Sequence, residues 1–442
     1  MKKAFTLAAI LVITILSCRK ESHPYIYYNE TTKLAYDSYA GQFDLIWKNL
    51  STGYVFWDID DTPWDKVYED FLPQFEALDR QVAQGGTIPD TTLLNLYEAA
   101  MGNMSDHHMT IKIKNLHPAE GNSGIIAMTP GMIAIKKRPD YIESKADAKK
   151  HMIEFLTGIE KDYGAGSEVK VIEHQQITYD LNTDGDGLDI VAGLTYSYNL
   201  FQLPDGRVIP YLWQSNAALT PAMTYLGKDG DEGAAAAILD QYFKIIATTP
   251  KEKLAGFILD NRANRGGYQD DLDYLIGSFL NDEVVMFQTR YKEGPGRLEY
   301  SVWTDYTQKP FYKYHRDLQA DNIPFVTLVD CMSASMGEIE SLCARYVLPT
   351  SYVIGETSYG ATGPLQANLT NMNYGGSFGS SDLSTEYHYV YISDFEASFD
   401  GQIYEGKGIT PDLKVSRKSN GGSFKPAIDA ALQYISQYKG QQ

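Results

Sequence analysis

Three stretches of this chain read alike, and together they restrict what it can fold into. Gly256-Phe257-Ile258-Leu259, Phe325-Val326-Thr327-Leu328-Val329 and Tyr352-Val353-Ile354 are short, nearly continuous apolar runs, and small or polar residues follow each. A strand apolar on both faces is buried on both faces, the habit of parallel sheets flanked by helices. Helical patterns lie between these runs: Ala234 to Ile246, then Leu272, Leu275, Ile276 and Phe279, then Ile339, Leu342 and Tyr346. A last helix begins near Ser423, with Phe424, Ala427, Ile428, Ala431, Leu432 and Ile435 on one face. From residue 231 to 442 the expectation is therefore an α/β domain.

Upstream the rhythm differs. Phe43, Ile46, Trp47, Leu50 and Tyr54 recur at helical spacing, as do Trp64, Val67, Tyr68, Phe71, Phe75 and Leu78. Gly85-Gly86 breaks the pattern before a third run through Leu93, Leu94, Tyr97 and Met101. Residues 36–118 are thus expected to form a helical bundle closed by a strand, because Met109, Ile111 and Ile113 alternate with polar residues. Residues 119–230 mix short apolar runs with Gly and Pro, and read as a strand-rich middle region with no clear PDZ domain.

The first 35 residues have another character. Lys2 and Lys3 precede an apolar run from Ala4 to Leu16 that is too short to span a bilayer, and Ser17-Cys18 follows. Residues 1–17 read as a secretory signal, and Ile15-Leu16-Ser17-Cys18 resembles the bacterial lipobox. By that resemblance Cys18 carries a lipid, residues 18–35 are its tether, and the protein is an exported outer membrane lipoprotein, on the periplasmic face or the cell surface. The membrane is then met only through that lipid. Cys331 and Cys343 lie roughly 12 to 18 Å apart along one helix, too far for a disulfide, and read as buried thiols. The formal net charge of −19 argues against nucleic acid as a partner.

Chemistry is expected where strands end. Val329-Asp330-Cys331-Met332-Ser333-Ala334-Ser335-Met336-Gly337-Glu338-Ile339 is a strand, a small-residue turn and a helix start. A serine there meets free N–H groups and the positive end of the helix dipole; on the local pattern alone a helix cap is the commoner role. Asp260-Asn261-Arg262-Ala263-Asn264-Arg265-Gly266-Gly267 is a glycine-bearing turn with exposed backbone donors, without GxGxxG or Walker A spacing. Asp180-Leu181-Asn182-Thr183-Asp184-Gly185-Asp186 opens like a calcium loop, but its twelfth position is Val191, where a bidentate carboxylate is needed. A polar turn between strands is the better reading.

In order and separation these segments resemble the tail-specific (C-terminal processing) protease and tricorn-core serine peptidase family. Ser333-Ala334-Ser335-Met336-Gly337-Glu338-Ile339 matches its nucleophile segment, and Val353-Ile354-Gly355-Glu356 its following strand. Met104-Ser105-Asp106-His107-His108 and Tyr404-Glu405-Gly406-Lys407-Gly408-Ile409-Thr410-Pro411-Asp412 match its flanking elements. The resemblance covers about 36–118 and 231–437. It implies a ClpP/crotonase-like α/β peptidase domain acting on peptides or unfolded proteins, without metal or cofactor. It implies Ser335 as nucleophile, His108 as base and Glu405 as the carboxylate behind it. Backbone N–H groups of Met336 and of Gly266 or Gly267 would bind the oxyanion. The lysine that many members carry in the loop after Gly-Glu is Ala361 here, which points to the tricorn-type Ser-His-Glu arrangement. His107 replaces a serine of that branch. An ordinary histidine would give an activity inflection near pH 6 to 7, raised by a charged Glu405. The rival reading is an inactive lipoprotein of the same fold that binds peptides or glycans.

Overall fold

The structure is a computed structural model that describes residues 37–182, 190–365, 378–379 and 387–440. The signal, lipobox and tether, and the centre of the Asp180–Asp186 turn, lie outside the described residues.

Helices α1 (Tyr39–Gly53), α2 (Trp64–Ala83) and α3 (Asp90–Met101) form the N-terminal bundle. Its apolar stripes meet as expected: Phe43 stacks on Phe75 at 4.5 Å, and Trp47 lies 6.1 Å from Trp64. Strands β1 (Thr110–Lys114) and β2 (Ile125–Met128) follow. β1 also pairs with the late strand β12 (His388–Tyr391), Thr110 opposite Tyr391, so the bundle is joined to the far end of the chain.

The middle region carries helices as well as strands. The run Met132–Ile135 lies in α4 (Pro130–Lys136), where Pro130 takes the first helical position that proline favours. Helix α5 (Lys145–Thr157) is capped by Ser144, whose side chain accepts from Asp147 N. Long antiparallel strands β3 (Lys170–Asn182) and β4 (Ile190–Gln202) lead to β5 (Val208–Gln214).

The central sheet has seven strands in the order β14-β10-β9-β6-β5-β4-β3. Its parallel core is made of β6 (Phe257–Asp260), β9 (Phe325–Val329), β10 (Ser351–Gly355) and β14 (Leu413–Lys414). Every residue of β6 and β9 is buried, the both-faces burial expected of their apolar runs. β5 pairs in parallel with β6, Trp213 opposite Asp260, so the sheet continues across residue 231. Helices α6 (Gly230–Thr248), α7 (Met336–Val347) and α8 (Lys425–Gln437) pack on it. The expected helix through Leu272 to Phe279 is instead two short turns, Leu272–Leu275 and Gly277–Phe279. A separate antiparallel sheet joins β13 (Phe395–Ser398), β7 (Val284–Tyr291) and β8 (Thr304–Gln308). Cys331 and Cys343 are free and buried. Among the described residues no helix is long and apolar enough to cross a membrane.

One buried ion pair fixes the edge of the site. Arg262 and Asp260 are 1% and 0% exposed and meet at 2.5 Å. Tyr211 Oη donates to Asp260, and an Arg262 amino group donates to the Phe424 carbonyl, which ties the β6 turn to the base of α8. Such a pair needs every lone pair and proton satisfied to persist in the interior.

Candidate active site

Each apolar strand delivers a turn to the same place. β9 ends at Val329, and Ser335 enters α7 with φ 57° and ψ −128°, a conformation costly for a side chain with a Cβ. Neighbouring turns hold it there. Ser335 N donates to Ala361 O at 2.9 Å and Ala334 N to Asn264 O at 3.0 Å. Asp330 Oδ1 accepts from Ala263 N and Met332 N, both at 3.0 Å, so one carboxylate pins both turns. The nearby Ser333 is committed elsewhere: it is fully buried, and its Oγ donates to Asn261 O at 2.6 Å. Ser335 keeps partial exposure.

The Gly266-Gly267 turn lies against this serine. A Cβ on Gly266 would sit 2.4 Å from Ser335 Cβ, and one on Gly267 would sit 1.8 Å from Ala217 O. Both residues have positive φ, 87° and 154°. The Gly266 N–H is already donated to Asn264 Oδ1 at 2.8 Å, which removes it as an oxyanion donor. The N–H groups of Gly267 and Met336 have no acceptor among the described residues. Met336 is the first residue of α7, where a free N–H is the rule.

The loop from Ser358 to Gly363 joins the serine to the other predicted residues. Glu338 accepts from Ser335 N, Gly360 N and Ala361 N at 3.2, 2.7 and 2.8 Å. Glu405 is buried and accepts from Thr362 N, Gly363 N and His107 N at 2.5, 2.7 and 2.8 Å. His108, Glu405 and a further carboxylate, Asp106, each place a ligand-type atom within 4.8 Å of the others. Asp106 accepts from His108 N and Met109 N at 2.8 and 3.1 Å, and from Ser393 N at 2.8 Å. This His and two carboxylates could hold a divalent cation by ligand type, although both carboxylates are already ringed by donors.

The two histidines are not equivalent. His107 Nδ1 lies 2.8 Å from Tyr359 O and its ring packs edge-on to Tyr359. Both ring nitrogens of His108 are enclosed and have no hydrogen-bond partner among the described residues. Glu405 therefore lies beside His108 without bonding to it here.

Residues 234–415 match the family model described as "Peptidase family S41". Over those residues the chain is similar to the S41 peptidases. The fold agrees. A candidate peptidase from Parabacteroides merdae superposes with a TM-score of 0.55 at 16% identity, covering 90% of this chain and 96% of that one. Mature CPAF complexed with lactacystin superposes at 0.52 and 10% identity, covering 92% and 99%. A curated relative, Prenyltransferase fogH of Aspergillus ruber, is 24% identical over 147 residues. That stretch spans 33% of this chain and about a third (32%) of the relative, too little to carry an assignment.

Electrostatics within the site depart from ordinary values. Burial pushes His108 down to about 3, with the Lys145 ammonium and His107 adding to the effect. The side chain keeps a partly open edge, but the nitrogens that would carry the proton are enclosed, and they set the direction. Burial pushes the Glu405 carboxyl well above its usual range, with Asp106 adding to it, and burial raises Asp106 to about 6. The sequence suggested a Glu405 that raises the histidine; burial instead pushes His108 down, while both carboxylates keep backbone N–H donors on each oxygen. Asp106 and Lys145 were not singled out from the sequence. Asp106 lies inside the Met104–His108 motif and was open to inference; Lys145 comes from the least legible region and left no signal.

Proposed function

We propose that this protein is a serine endopeptidase that cleaves peptides or unfolded proteins by a Ser-His-Glu mechanism. Ser335 Oγ attacks the scissile carbonyl, neutral His108 takes its proton, and Glu405 stabilises the resulting imidazolium. The N–H groups of Gly267 and Met336 receive the oxyanion. The observation that carries this reading is the Ser358–Gly363 loop. Ala361 O holds the Ser335 amide, and Thr362 N and Gly363 N hold Glu405, which in turn holds the backbone of the histidine pair. The unbonded His108 ring favours the second reading, an inactive peptide- or glycan-binding lipoprotein of this fold. Hydrogen bonds of a catalytic site often tighten only with substrate, so the enzyme reading is preferred. A fluorophosphonate probe decides between them. Covalent labelling lost in Ser335→Ala but kept in Ser333→Ala supports the enzyme; no labelling of the folded wild type supports the binding protein.

We also propose export and lipidation at Cys18. Cys18→Ser should move the protein from membranes to the soluble fraction, and sedimentation with membranes at high salt would refute the lipid anchor.

A further inference from the structure

The chain has a formal charge of −19, yet cations gather at the proposed nucleophile. Helix α5 lies over the nucleophile turn: its Ala148 shares an apolar cluster with Cys331, Met332, Ala334 and Ala361. Lys145 and Lys149 are one turn apart on this helix and so share a face. Lys145 Nζ sits 4.5 Å above the Tyr359 ring and has no ion pair or hydrogen bond among the described residues. Arg265 directly precedes Gly266, the residue packed on Ser335, and its exposed side chain likewise has no acidic partner there. Lys149 Nζ donates to Gly193 O.

We infer that Lys145 and Arg265, backed by Lys149, form a subsite that receives a carboxylate of the peptide substrate beside Ser335. The inference rests on the peptidase reading and adds its substrate class, acidic peptides. Two further facts favour it. Arg265 is the largest charge depressing both lysines, so the three cations crowd one another and an incoming anion relieves them. The acids that act on the two lysines already accept backbone amides: Glu338 those of Ser335, Gly360 and Ala361, Asp330 those of Ala263 and Met332 through Oδ1, and Asp180 that of Gly193. Lys145 is lowered only to about 8 and stays cationic at neutral pH.

The test uses the full chain and fluorogenic peptides that differ by Glu or Gln at one position on either side of the cleavage point. Each is made with a free-acid or an amidated C-terminus, which separates side-chain from terminal carboxylate. Wild type should favour one carboxylate-bearing member by roughly five- to tenfold in kcat/KM, the scale of a partly desolvated charged contact. Lys145→Met and Arg265→Met should each bring that charged-to-neutral ratio towards one, whatever they do to the absolute rates. Anisotropy of the same labelled peptides on Ser335→Ala reads the subsite without catalysis. Preferential binding there with no hydrolysis by wild type would sink the peptidase reading and keep the carboxylate site. Equal binding of charged and neutral peptides, or a preference that survives the double substitution Lys145→Met and Arg265→Met, overturns the inference.

Discussion

Substituting Gly266 by alanine separates conformational cost from displacement of the nucleophile. Gly266 and Gly206 have nearly the same backbone angle, φ +87° and +86°. Gly206 sits in the turn closed by Leu203 N to Arg207 O, and a Cβ there meets nothing within 4 Å. Gly206→Ala should cost only the left-handed penalty, about 1–2 kcal/mol, and leave activity unchanged. At Gly266 the same methyl would lie 2.4 Å from Ser335 Cβ and 2.8 Å from both Met336 N and Ser335 Oγ. A close-packed turn must open by about half an ångström or more to admit it. Gly266→Ala should therefore cost a further 1–3 kcal/mol or so of over-packing. It should also displace the reacting hydroxyl enough to lower kcat/KM by about 100-fold. Urea unfolding reads the first quantity, and the rate of Ser335 labelling or peptide hydrolysis reads the second. A folded Gly266→Ala protein with activity within about threefold of wild type would show that Ser335 is not held against this turn during reaction.

Two further outcomes follow from the histidine pair. Because His108 is held down to about 3, it stays neutral as pH falls from 7 to 5 and should add no inflection to kcat/KM there; Asp106, raised to about 6, is the neighbour that titrates in this window. An inflection at pH 6 to 7 that survives Asp106→Asn would contradict the enclosed ring. The sign for stability is opposite to that of a histidine gaining an ion pair: the unfolded chain binds the proton first. This group should therefore lower stability as pH falls through 6.5 towards 3, by at most about 1.4 kcal/mol per pH unit, less where the open edge admits water. His108→Ala should reduce kcat/KM by about 100-fold or more, whereas His107→Ala, which removes a ring held by Tyr359 O, should lower stability more than rate. A larger rate loss at His107 would reverse the assignment.

Much was legible in the sequence because it was local. Apolar runs buried on both faces announced β6 and β9, and the small residues after β9 announced a turn into α7; the strained backbone of Ser335 appears only in the structure. Cys331 and Cys343 are free and buried as read, although not on one helix: Cys331 lies in the turn after β9 and only Cys343 is in α7. Only the tertiary structure decided how distant pieces meet. His107 and Glu405 bond across 298 residues, and that contact, with the Tyr359 carbonyl, commits one histidine and leaves the other unbonded. Gly266 and Gly267 look alike in sequence, yet the Asn264 side chain takes the amide of the first. Lys145 reaches Tyr359 from a helix of the middle region that the sequence did not announce. Periodicity and turn chemistry act over a few residues, whereas burial and hydrogen-bond satisfaction depend on what the rest of the chain brings to the same place.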